Sequence, residues 1–83
     1  MNTKLIINDR NGQKNEYDIL LTFHFNKTNK QYIVYTDNKY NENDELNIYA
    51  NIYENNELKN IETDEEWNEI DNRLSYLQKL GEN

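Results

Sequence analysis

Between Tyr17 and Phe25 every second residue is large and apolar: Tyr17, Ile19, Leu21, Phe23 and Phe25, alternating with Asp18, Leu20, Thr22 and His24. A period of two fits the pleat of a β-strand and fits no helical stripe. A strand of this length, expected over residues 15–25, needs partners on its edges, and the flanking sequence supplies them. Residues 4–8 read as a short strand, followed by Asp9-Arg10-Asn11-Gly12, in which Gly12 can take a left-handed backbone at little cost. A two-residue Asn11-Gly12 loop would set Leu5 opposite Asp18 and mix core with solvent faces. A three-residue loop, Arg10 to Gly12, sets Leu5 opposite Tyr17 and keeps one face apolar, so the bulged turn is expected.

After the polar turn at residues 26–30, residues 31–37 form a third strand that is apolar on both sides, the mark of a central position. Residues 45–54 form a fourth. Leu46, Ile48, Ala50 and Ile52 share one face, and Tyr49 and Tyr53 lie on the other. The Asn55-Asn56 turn leads to a fifth short strand over residues 58–61. The chain then changes period. Trp67, Ile70, Leu74 and Leu77 make one apolar stripe at helical spacing, extended by Leu80. Thr63 is a good N-cap with Glu66 three residues on, a capping box. Asp64, Glu65 and Glu66 suit the positive end of the helix dipole and Lys79 the other end, with Gly81 as C-cap. A single α+β domain over residues 1–83 is therefore expected: an antiparallel β-meander of four or five strands, with one C-terminal helix over residues 64–80 packed on one face. Trp67 is the expected anchor of that helix on the sheet, with Thr63 and Glu66 fixing its start.

Composition excludes whole classes of function. The absence of Cys removes disulfides, thiolate metal sites and Cys nucleophiles. Sixteen acidic against nine basic residues leave a net charge of −7. Direct nucleic-acid binding, which needs a basic face, is not expected. No apolar stretch is long enough for a signal-peptide core or a membrane span, so a cytoplasmic protein with no membrane contact is expected. The 17 Asn residues are dispersed and interrupted by charge, unlike a prion-like tract.

Tyr35-Thr36-Asp37-Asn38, Ile48-Tyr49-Ala50-Asn51-Ile52-Tyr53 and Ile61-Glu62-Thr63-Asp64-Glu65-Glu66-Trp67 resemble, in order and spacing, the YrzB-like family of short acidic bacterial proteins. The resemblance covers nearly the whole chain and includes the early Asn11-Gly12 turn. It implies a cytoplasmic accessory protein and brings no catalytic residues. The chain departs from the family in its Asn richness and in a less acidic loop over residues 38–44.

No catalytic, metal or cofactor constellation emerges, and the chain is not expected to be an enzyme. His24 is the only histidine, mid-strand on the more polar face. The segment from Asp37 to Asp44 looks like a calcium loop only faintly: Lys39 sits at its third position and no Gly at its sixth. Glu65, Glu66 and Glu69 are accounted for by capping and the helix dipole, on an exposed turn ill suited to acid–base chemistry. Two features remain. Residues 1–36 hold five basic and three acidic residues, whereas residues 37–83 hold four and thirteen. A single helix can cover only one face of the sheet, which would leave Tyr49 and Tyr53 outward, with Tyr32 and Tyr35 on the adjacent strand. Exposed tyrosines favour interfaces, since they join apolar area to a polar tip. These four form the expected interaction face of a non-enzymatic module that binds an unidentified protein through the uncovered face or a strand edge. The alternative is an acidic decoy that mimics nucleic acid on a basic partner surface. Two unblunted sheet edges also suggest a weak homodimer.

Overall fold

A computed structural model describes residues 3–81, with side chains to residue 77. The strands are β1 (Lys4–Asn8), β2 (Lys14–Phe25), β3 (Lys30–Tyr40), β4 (Leu46–Glu54) and β5 (Glu57–Lys59), followed by the helix α1 (Asp64–Gly81). They form one antiparallel sheet in sequence order, β1-β2-β3-β4-β5, with β3 at its centre. The fold is the α+β meander with a C-terminal helix that the periodicities demand. The roles expected of Lys79, Leu80 and Gly81 fall outside the described side chains.

Local chemistry sets the first hairpin. Asp9 Oδ1 accepts from the backbone N–H groups of Asn11 and Gln13, both at 2.9 Å, and the Asp9 N–H donates to the Gln13 carbonyl. Gly12 sits at φ +76°, where a side chain would be strained. The three-residue loop that results puts Leu5 opposite Tyr17. Asn55 and Asn56, both at positive φ, make the tight β4–β5 turn, as the mirror-image hairpin turns require.

β2 departs from the simple alternation. Ile19 pairs with Tyr35 but Leu21 pairs with Val34, so Leu20 is an extra residue in a bulge. Residues opposite each other share a face, and Tyr35 and Val34 are neighbours in β3. Tyr17 and Ile19 therefore lie on one side of the sheet and Leu21, Phe23 and Phe25 on the other. Bulges bend and twist the strand that carries them, and here the bend divides a single apolar run between two cores.

The first core lies under α1: Phe23, Tyr32, Val34, Ile52 and Ile70 are buried, with Leu21, Phe25, Ala50, Ile61 and Leu74 packed around them. Of the even-numbered apolar residues of β4, Ala50 and Ile52 thus pack under the helix, whereas Ile48 is 42% exposed. Trp67, expected as the anchor, is instead 42% exposed, and Ile70 and Glu66 occupy the contact. The helix is rotated by its polar start. The Thr63 hydroxyl accepts from the Glu66 N–H at 3.2 Å and donates to Glu66 Oε1 at 2.7 Å, while Glu66 Oε2 accepts from Tyr32 Oη. Holding Glu66 inward turns Trp67, about 100° around the helix, onto the flank.

The second face is not left open. Ile33 is 1% exposed and Tyr35 is buried, although neither belongs to the helix-side core. Leu5 and Ile7 alternate toward this face, opposite Tyr17 and Asn15, while Ile6 points outward and is 58% exposed. Residues of β1 and of β4–β5 line one common cavity. The sheet thus curls until its two edges approach each other, and its concave side becomes a second, smaller core.

Candidate functional site

The curl changes where the expected interaction residues stand. Tyr32 lies on the helix face, fully buried, stacked on Phe23 with ring centroids 5.2 Å apart. Its hydroxyl donates to Glu66 and Thr28 Oγ1 lies 2.8 Å away. Burial first, and the Glu66 carboxylate second, push the Tyr32 phenol up to about 12. The same hydrogen bond holds the Glu66 carboxyl below its ordinary value. This buried pair fastens the helix and offers no contact surface, so Tyr32 leaves the proposed face. Tyr35 leaves it too: it is buried on the concave side, where burial raises its pKa. Tyr32 and Tyr35 cannot share a face, because strand residues an odd number of positions apart point to opposite sides.

Tyr49 and Tyr53 remain on the concave side of β4. Tyr49 is 40% exposed and Tyr53 half-buried. Tyr17, Tyr35 and Tyr49 form a ring cluster, with Tyr35 and Tyr49 stacked at 5.6 Å and Tyr17 edge-on to both at 5.2 and 6.1 Å. The polar tips of Tyr35, Tyr49 and Tyr53 are engaged within the chain. Tyr35 Oη donates to Asn51 Oδ1 at 2.6 Å, and Asn51 Nδ2 donates onward to the Lys59 carbonyl at 3.2 Å, tying β3, β4 and β5 together. Tyr49 Oη donates to Asp37 Oδ2 at 3.0 Å and Tyr53 Oη to Asn56 Oδ1 at 3.4 Å. The Lys39 N–H, with the Tyr49 hydroxyl, lowers the Asp37 pKa, and Asp37 in turn raises that of Tyr49. Much of what exposed tyrosines offer a partner is thus spent on the sheet itself.

The part of the concave side that stays open is the seam where the sheet edges approach. Leu5, Ile6, Ile7 and Asn8 line it from β1, and Tyr53, Asn56 and Leu58 from the other edge. Hydrogen bonding is set by parity. Asp9 N bonds Gln13 O and Ile19 N bonds Thr3 O, so Leu5 and Ile7 direct their backbone groups to β2. Ile6 and Asn8 then direct theirs outward, into the seam, where no strand among the described residues pairs with β1. The sequence showed Leu5 and Ile7 as one strand face but not this seam, which joins residues some fifty positions apart. The only local signal for the curl was the Leu20-Leu21 pair, the one break in the alternation of β2.

The remaining acidic residues offer little chemistry. Asp37 Oδ1 accepts from the Lys39 N–H, and Asn41 Oδ1 from the N–H groups of Asn43 and Glu45, so this loop folds around its own side chains. Among the described residues no three His, Cys, Asp or Glu side chains converge as a metal site would need, and no helix is long and apolar enough to cross a membrane.

The sequence pattern that defines a family described as "Protein of unknown function (DUF1292)" matches residues 11–77. The chain is similar to a UPF0473 protein of Bacillus pumilus, 35% identical over 87% of this chain and 82% of that protein. It is also similar to a UPF0473 protein of Bacillus velezensis, 35% identical over 86% and 83% of the two chains, and to one of Leuconostoc mesenteroides, 32% identical over 87% and 81%. No solved structure matches the chain.

Proposed function

Because the chain belongs to this DUF1292 family of unknown function, membership brings no activity with it, and we propose from the geometry that it is a non-enzymatic protein-interaction module that takes an extended segment of a partner protein along the edge of β1. One observation carries the reading: outward backbone groups at Ile6 and Asn8 beside a seam lined by Leu5, Ile7, Tyr53 and Leu58, with the amides of Asn8 and Asn56 among them. An added strand gains affinity from main-chain hydrogen bonds and specificity from alternate side chains that enter such pockets. Tyr53 is the ring best placed to meet them, and Tyr49 borders the same side.

Proline at position 6 tests the proposal, since it removes an outward N–H and leaves the β1–β2 ladder whole. A photo-crosslinking side chain at Asn8 is expected to capture a partner in a lysate of the native host, and Ile6→Pro to abolish that capture with the melting transition kept. Equal capture by the folded Ile6→Pro variant would refute strand addition.

A further inference from the structure

The helix divides its acidic side chains unequally. On the flank toward β2, Glu65 pairs with Lys27 at 3.4 Å and Glu69 with Arg73 at 3.2 Å, and the Arg73 guanidinium lies 4.7 Å from the centre of the Phe23 ring. A carboxylate, an aromatic ring and the cation between them are all present there. On the opposite flank Asp64, Trp67 and Asp71 follow one another at spacings of three and four, so they form one ridge on the helix surface. All three are exposed, and neither Asp64 nor Asp71 has an ion-pair partner among the described residues. The ridge has the ring and the carboxylates of the β2 flank but no cation. Asp64 gains from the positive end of the helix dipole, whereas Asp71, beyond the first turn, does not. The half-exposed Trp67 ring is the residue type most enriched where binding energy concentrates, and the strongest ring for a cation to sit on.

We infer that the ridge of Asp64, Trp67 and Asp71 is a docking surface for a basic protein segment that presents an arginine beside an apolar side chain. The partner's guanidinium supplies the missing member, over the Trp67 ring and between the two carboxylates, and its apolar neighbour covers the rest of the ring. The ridge lies on the helix, apart from the seam, and its occupation needs no strand addition.

Trp67 is the only tryptophan in the chain, so its fluorescence reports on this ridge alone. The probe is a synthetic helical peptide of leucine and arginine repeats, titrated at physiological salt. The expected result is a saturable shift of Trp67 emission. Asp64→Asn with Asp71→Asn is expected to weaken binding about tenfold or more, as loss of charged contacts at an interface centre does. Glu42→Gln with Glu57→Gln, which removes the same charge from exposed sites elsewhere, should change it by less than about twofold. Trp67→Leu, followed by calorimetry with thermal unfolding checked, should weaken it comparably to the aspartate pair. Ile6→Pro should bind the peptide as the parent does. Equal losses from the two charge pairs, binding without a change in Trp67 emission, or loss in Ile6→Pro would each overturn the inference.

Discussion

Glu66 and Tyr32 are two ionisable groups buried against each other, and their pKa values move apart: the carboxyl falls below its usual 4.5 and the phenol rises to about 12. A carboxyl held low in the folded state contributes stability that is complete above the unfolded value near 4.5 and lost as pH falls through the folded one. A phenol held high contributes stability that is complete below 10 and lost as pH rises through about 12. Glu66→Gln is therefore expected to flatten the acid limb of a stability–pH profile followed by circular dichroism. Tyr32→Phe is expected to remove from the ultraviolet titration a phenol that ionises near 12. The roles of Trp67 and Ile70 separate in the same way. Ile70→Ala, which empties a fully buried site, should cost about 3 kcal/mol in a denaturant melt, and Trp67→Ala, half of whose ring is already wet, about 2 kcal/mol. Sequence spacing marked Thr63 and Glu66 as a cap because capping is local. It could not show Tyr32 as the partner that sets the helix rotation, since that contact spans 34 positions.

Among the elements, β2 combines the clearest local pattern with the least evident consequence. Its alternation was legible, and so was the register of the first hairpin, because the Asp9–Gly12 turn allows one loop length. The bulge was not: an alternating run looks the same whether one face continues or changes side across an extra apolar residue. The bulge predicts different outcomes for two variants. Leu20→Ala, at a partly exposed site, should cost about 1 kcal/mol. Deletion of Leu20 would make Ile19 and Leu21 chain neighbours on opposite faces, which keeps their pairing with Tyr35 and Val34 and removes only the bend. Chemical denaturation should show a cooperative transition for both, parent-like for Leu20→Ala and at lower denaturant for the deletion, whose straighter β2 closes the concave side less well.

At the scale of the molecule, one helix and five strands make two cores because the sheet bends back over the side that the helix leaves uncovered. Counting layers in the sequence predicted one bare face, and the physical reason for the difference is twist, which accumulates along a 12-residue strand with a bulge in it. What stays open is an edge, and β1 has no Pro to blunt it. Two copies are therefore expected to pair weakly along β1. Sedimentation velocity at rising concentration should show a dimer for the parent and only monomer for Ile6→Pro. A parent that stays monomeric throughout would show that the seam is too narrow for a second strand.

Among the described residues, five left-handed backbone positions carry asparagine or aspartate, and Gly12 alone carries glycine. A single base change in an asparagine codon can reach aspartate, serine, threonine, isoleucine, lysine, histidine or tyrosine, but never glycine. At the turn residues Asn29, Asn55 and Asn56 the one-step neighbour that holds the backbone comparably well is aspartate. Drift at these turns therefore runs toward added negative charge, and the acidity of such a chain can grow as a by-product of keeping its hairpins.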